Sequence, residues 1–189
     1  EKREIQILKE VGFINHYKII RNNLNRIIIS MAVIEMIDRS IGENDIQPIL
    51  YKLCWRVLDK LNDGGLNKWI IFMFFLFHLS IRLGFMPNIS TCSQCNNNMD
   101  QGNINKDNGE LICQICNGNT QNNINLKNLS KISFIHLDEI NSIPFSNNII
   151  DSIRLIDLFL SYHIDGFSKI KSMKIVRNLF SEIKTTTLV

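Results

Sequence analysis

The sequence predicts a mainly α fold, a helical bundle domain with an inserted four-cysteine ribbon. Three observations carry that prediction. Apolar residues recur at helical spacing on both sides of the chain's middle. A nearly unbroken apolar run, Trp69 to Leu79, marks one helix enclosed on almost every side. Between the two halves stand Cys92-Ser93-Gln94-Cys95 and Cys113-Gln114-Ile115-Cys116, two cysteine turns separated by 17 residues.

The elements follow in order. Residues 1–14 alternate weakly through Ile5, Ile7 and Val11 and read as the end of a strand belonging to a preceding domain. The chain opens mid-pattern without Met, so the body of a longer protein is expected. A long helix is predicted from about Asn15 to Ser40, with Ile20, Leu24, Ile27, Met31, Ile34 and Ile41 facing inward and Lys18, Arg21, Asn22 and Asn25 solvated. Gln47-Pro48 opens a second helix, since Pro suits the first turn. It carries Ile49, Leu53, Val57 and Leu61 inward and stops at Asp63-Gly64-Gly65. The third helix spans about Leu66 to Leu83, with Gly84 at its C-terminal cap and Pro87 preventing continuation.

The cysteine module occupies 88–118. Each CxxC holds two sulfurs on one tight turn, and two facing turns complete a tetrahedron. Asn96 and Asn117 follow the second Cys of each turn, where positive φ is often needed and Asn tolerates it. Asn108-Gly109 suits a two-residue hairpin turn between them. The spacing therefore points to one structural Zn2+ held by Cys92, Cys95, Cys113 and Cys116. Alternatives are a disulfide pair, a redox CxxC and an iron–sulfur cluster. No signal segment precedes the cysteines and Cys54 would be left over, the βαβ context is missing, and the spacing differs from cluster motifs. Four thiolates close the coordination sphere, so the metal activates no water. It contributes on the order of 10 kcal/mol or more to a local fold with almost no core of its own. Twelve Asn within residues 96–128 fit such a polar, metal-held module.

Beyond it, 130–141 is a short helix with Ile132, Ile135 and Ile140 inward, although Phe134 to His136 also reads as a strand. Pro144 breaks it, and Ser146 caps a helix bearing Ile149, Ile153, Ile156, Leu160 and Ile164. Gly166 punctuates. A last helix runs from Ser168 through Phe180, with Ile170, Met173, Val176, Leu179 and Phe180 inward, and Thr185 to Val189 is a tail.

Composition bounds the function. The 189 residues, 45% hydrophobic and 21% charged, suffice for one well-cored domain with a small module. The apolar run is too short to span a bilayer, and His78, Ser80 and Arg82 interrupt its end. Free thiols without a signal segment suggest a cytoplasmic setting. There is no Gly-rich phosphate loop, HExxH or nucleophile elbow, and no enzyme is expected. Glu35, Asp38 and Arg39 read as a surface ion-pair cluster, His78 as a core or boundary residue, and Cys54 as a small buried hydrophobe. The net charge of +3 permits an anionic partner. Candidate contacts are Lys169, Lys171, Lys174 and Arg177 at the last helix and Lys18, Arg21 and Arg26 at the first, which form one basic surface if those helices pack together and are otherwise solvated helix faces.

The order of features resembles the RecO family of bacterial recombination mediators. The likeness rests on Ile20 to Arg26, Ala32 to Arg39, the Leu83-Gly84-Phe85-Met86-Pro87 lead-in to the cysteines, and Lys171-Ser172-Met173-Lys174, and covers roughly 15 to 181. It implies that 15–189 is the family's helical C-terminal domain and 1–14 the remnant of an N-terminal OB-fold. By resemblance the activity is non-catalytic: binding and annealing single-stranded DNA and, with RecR, loading RecA onto DNA covered by SSB, whose acidic, aromatic-tipped tail the helical domain contacts. A location with the bacterial nucleoid is implied likewise. A zinc-stapled protein-interaction module without DNA binding is the competing reading.

Overall fold

Helix α4 (Lys68–Arg82) is the element against which four of the other helices pack. In the computed structural model, which describes residues 9–42, 45–118 and 123–186, every residue from Trp69 to Phe77 is buried, together with Leu79 and Ser80. A helix apolar all round is stable in water only when covered on all sides. Here α3 (Pro48–Leu61) and α6 (Asn147–His163) supply most of that cover, with α2 (Leu24–Ser40) and α5 (Lys127–Phe134) completing it. Each fully buried Phe on α4 contributes about 1.5–3 kcal/mol of transfer free energy.

Local chemistry sets the ends of α4. The Asn67 side chain accepts the Trp69 N–H at 2.9 Å, an N-terminal cap. At the other end the Phe85 N–H donates to the Ser80 carbonyl (2.8 Å) and the Gly84 N–H to that of Ile81 (3.1 Å), with Gly84 at φ 84°. This is the Schellman closure, which requires a residue at positive φ. The expectation for Gly84 holds.

The first long helix differs from its prediction in two ways. It is split into α1 (Lys18–Arg21) and α2, broken at Asn22–Asn23. Asn23 accepts the Arg26 N–H at 3.1 Å and so starts a new helix, while the Asn62 side chain accepts the N–H groups of Ile19 and Ile20 from 43 and 42 residues away. The buried face is also different. Ile29, Ala32, Val33, Met36 and Ile37 face the core, whereas Leu24, Met31 and Ile34 are at least half exposed. On α3, likewise, Leu50 is buried and Ile49 is not, while Leu53, Val57 and Leu61 are buried as expected.

The C-terminal half holds α5, a 3-10 turn over Leu137–Ser142, α6, a second 3-10 turn over Phe167–Lys169, and α7 (Lys171–Thr186). The region expected as one helix over 130–141 is therefore two pieces, and Phe134 to His136 forms no strand. Ser146 precedes α6 in extended backbone, but its hydroxyl makes no capping bond. The last helix starts at Lys171 rather than Ser168, because Gly166 at φ 76° first turns the chain through the 3-10 segment. Ile170, Met173, Val176 and Phe180 are buried and Leu179 partly so, as predicted. Of residues 1–14, expected to end a strand, 9–14 form none and 1–8 lie outside the described residues; of the tail expected over Thr185–Val189, Thr185 and Thr186 belong to α7 and the rest lies outside the described residues. Among the described residues no helix is long and apolar enough to cross a membrane.

Helices α2 and α7 pack against one another, running antiparallel. The start of α7 sits on Glu35: the Lys171 and Ser172 N–H groups donate to its carboxylate at 3.1 and 2.9 Å, and the Ser172 hydroxyl at 2.6 Å. The far end of α7 brings Phe180 to within 5.4 Å of the Trp69 ring. That end of the bundle is also where Arg26 binds the carbonyls of Leu61 and Leu66, both at 2.6 Å.

Candidate metal centre

The cysteine module begins with a bridge between Thr91 and Asn98 that closes the first turn. Within it the Asn96 N–H donates to the Cys92 carbonyl and the Cys92 N–H to that of Asn97, both at 2.9 Å. Asn96 takes φ 59°, the left-handed conformation expected of it. In the second turn the Asn117 N–H donates to the Cys113 carbonyl at 2.9 Å. There positive φ falls on Gly118 (70°) and not on Asn117. A glycine one position later accepts the conformation at lower steric cost, so Asn117 stays in ordinary backbone.

The two turns are tied together by backbone. The Ser93 N–H donates to the Leu111 carbonyl at 3.0 Å, and the Cys113 N–H donates to the Cys92 sulfur at 3.2 Å. The four sulfurs all lie within 4.8 Å of one another, with Cys95 and Cys113 3.8 Å apart. Thiolates about 2.3 Å from a tetrahedral zinc ion stand roughly 3.8 Å from each other. The residues therefore fit a metal ion, and their all-sulfur donor set fits zinc binding. None of the five cysteines is paired in a disulfide.

The protonation pattern agrees with shared thiols. Burial raises the Cys92 thiol, but hydrogen bonds from the N–H groups of Cys113, Cys95 and Gln94 outweigh it and bring the pKa down to about 6. Desolvation and the three neighbouring sulfurs push Cys116 up to about 12. A bound divalent cation offsets two of the four negative charges and so favours the deprotonated form of all four ligands.

Strands β1 (Gln101–Ile104), β2 (Leu111–Cys113) and β3 (Ile124–Asn125) form an antiparallel sheet of order β2-β1-β3. The hairpin between β1 and β2 is longer than the two-residue turn predicted. Asn105 pairs with Glu110, and Gly109 takes φ 76°. Tyr162 of α6 dictates this: a Cβ on Gly109 would lie 2.5 Å from the Tyr162 Cβ, and the Tyr162 hydroxyl donates to the Lys106 carbonyl at 2.9 Å. The module also has more apolar packing than expected. Ile89, Met99, Ile104, Leu111, Ile112 and Leu126 are buried and continuous with the bundle core.

The predicted basic residues are not gathered into one surface. Lys18 and Arg21 are exposed on α1, and Lys169, Lys171 and Lys174 are exposed at the start of α7. Because α7 is antiparallel to α2, its start lies by Glu35, nine residues or about 14 Å along α2 from Arg26. Arg26 itself is 7% exposed and is committed to two carbonyls, which removes it from any surface cluster. Arg177 donates to both oxygens of the buried Asp157 at 2.7 and 2.9 Å. That pairing holds the guanidinium pKa above its ordinary value and ties α7 to α6.

Glu35 is not part of an ion-pair cluster with Asp38 and Arg39 but caps α7, and hydrogen bonding from Ser172 holds its carboxyl below the usual range. His78 stacks on Phe74 at 3.9 Å and lies 3.4 Å from the Arg82 guanidinium. Burial, then the Arg82 charge, lower its pKa to about 4. Glu35 and His78 thus serve different neighbourhoods. Cys54, expected to be buried, is only partly so, packed against the core, and burial raises its thiol.

One site was missed by the sequence reading. A cavity of about 330 Å³ opens between α3, α4 and residues 135–137, with Lys52, Arg56 and Arg82 over a floor that includes Leu53 and Phe74. Its signal was present as the Lys52/Arg56 pair one helical turn apart.

Comparison with known proteins agrees with this architecture. A family model described as recombination protein O C terminal matches residues 21–174, a span that contains α2 to α6, the cysteine module and the start of α7. The chain belongs to this RecO family. The DNA repair protein RecO of Pelobacter propionicus is 32% identical over 103 residues, 54% of this chain and 42% of the relative. The DNA repair protein RecO of Syntrophomonas wolfei subsp. wolfei is 25% identical over 112 residues, 59% of this chain and 44% of the relative. The chain spans less than half the length of these curated relatives.

Proposed function

We propose that this chain is the helical, zinc-stapled part of a non-catalytic DNA repair and recombination mediator. The single observation that carries the reading is the family match over residues 21–174, with the four-thiolate centre inside the matched span. Both relatives are named DNA repair proteins. In this reading the protein binds and anneals single-stranded DNA and, with RecR, loads RecA onto strands coated by SSB, working in the bacterial cytoplasm.

The metal is Zn2+, one per chain, and its role is to lock the two cysteine turns to each other. A closed set of four thiolates leaves no position for substrate or water. Binding is the task of cationic side chains. Lys18, Arg21, Lys169, Lys171 and Lys174 are exposed and available to phosphates or to the acidic SSB tail, whereas Arg26 and Arg177 act within the fold.

Single-stranded DNA binding by the full-length protein tests this reading. Affinity should fall linearly on a log–log plot against salt, with a slope set by the phosphates neutralised. Absence of binding at low salt, or affinity indifferent to salt, contradicts it.

A further inference from the structure

Helix α3 turns two aromatic rings to solvent one helical turn apart. Tyr51 is 71% exposed and Trp55 49%, and neither is stacked on another ring among the described residues. Exposed rings occur elsewhere on this chain, Phe13 and Phe134 among them, but here two stand one turn apart on one helix beside cations, the pairing of stacking surface and positive charge that single-stranded nucleic acid uses. Cations stand on the adjacent face of the helix, about 100° round from the rings. Lys52 and Arg56 each follow one ring in sequence, and Arg82 of α4 joins them across the 330 Å³ cavity. Arg56 is close enough to add to the burial that depresses Arg82, so positive charge is concentrated there. The facing counter-charges are Asp59 on the same helix and Asp138, which lies 2.6 Å from Arg56 and 2.9 Å from Lys60.

We propose that this face of α3 is a single-stranded nucleic-acid site, where Tyr51 and Trp55 stack on bases and Lys52, Arg56 and Arg82 hold backbone phosphates. The proposal rests on the DNA-binding reading above and adds a base-stacking surface to the exposed cations named there. Four residues of helix separate the rings by about 6 Å along the axis, wider than the 3.4 Å rise of a stacked strand in duplex DNA. An unstacked single strand meets that spacing, and a duplex presents no base faces. Stacking tolerates any base, so the site is indifferent to sequence. An acidic peptide would satisfy the cations but leave the two rings without a role.

The test uses full-length protein and an oligothymidylate. Trp69 is buried, at 3% exposure, so the part of a change in tryptophan emission on binding that disappears in Trp55→Phe reports Trp55. The expected result is quenching that saturates with binding. Trp55→Ala and Tyr51→Leu should each weaken binding about tenfold or more, and Lys52→Gln should lower the salt slope by about one. Asp138→Asn, which releases Arg56, should tighten binding. Binding with unchanged emission and unaltered affinity in these variants overturns the proposal while leaving the DNA-binding reading intact. No oligothymidylate binding at all removes both. An acidic peptide that binds at this face and is weakened by Lys52→Gln, while oligothymidylate does not compete with it, also overturns the proposal.

Discussion

Glu35 Oε2 accepts two hydrogen bonds from Ser172, one from its backbone N–H at 2.9 Å and one from its hydroxyl at 2.6 Å. A side chain of α2 thus does for α7 what a local capping residue does elsewhere, satisfying N–H groups that have no intrahelical acceptor. Glu35→Ala should cost about 1 kcal/mol or somewhat more, a fall of about 2–4 °C in melting temperature. The carboxyl is held below its ordinary value. Its stabilisation is therefore full above the unfolded value of about 4.3 and is lost as pH falls through the depressed folded value. Melting curves of both proteins should differ near neutrality and converge in acid. An equal gap at all pH values counts against the capping role.

Arg26 is a structural cation. Its guanidinium reaches the last residue of α3 and the connector to α4. Arg26→Leu strands two carbonyls and should cost about 2–4 kcal/mol. In denaturant titrations the variant should unfold earlier. A variant as stable as the parent but weaker on DNA would return Arg26 to the binding surface.

Arg177 and Lys174 are neighbours on α7 with opposite predicted behaviour. Arg177→Met leaves the buried Asp157 unpaired, and should cost about 2–4 kcal/mol. Lys174→Ala should change stability by no more than about 0.5 kcal/mol while lowering the salt slope of DNA binding. Equilibrium unfolding and salt titration of the two variants separate the roles. Equal stability losses would contradict the division.

His78 titrates abnormally because it is buried against Phe74 beside Arg82. Its folded pKa of about 4 lies below the ordinary 6.5. The unfolded chain therefore takes up this proton first, and stability falls as pH drops from about 6.5 to about 4. His78→Phe keeps a ring on Phe74 and removes the proton. Stability measured across this window should fall less steeply in the variant, and identical slopes would refute the assignment.

Much of the fold was legible because its signals are local. The cysteine turns, the Gly84 cap and the enclosed α4 each declare themselves within about ten residues. The face of α2 was not legible. Ile27, Ile28, Ile29, Met31, Val33, Ile34, Met36 and Ile37 leave apolar residues on every side, so periodicity offers two stripes and only packing against α3, α4 and α7 selects one. The break at Asn22 was hidden because part of its cause, Asn62, lies in another helix connection. Arg26 and Glu35 misled for the same reason. Their partners are 35 to 137 residues away, and a charged residue read alone defaults to the surface. The α3 platform was visible as Tyr51, Lys52, Trp55 and Arg56 but gained meaning only once exposure was known.

Four thiolates hold the two turns of the ribbon together through one metal ion. Elemental analysis of the purified protein, followed by thermal unfolding with and without a strong chelator, tests it most directly. The account predicts one zinc per chain and a large loss of stability on chelation, reproduced by Cys113→Ser, since structural zinc in small modules supplies on the order of 10 kcal/mol of apparent binding energy. A folded, metal-free protein whose melting is unchanged by chelator and by Cys113→Ser would contradict it.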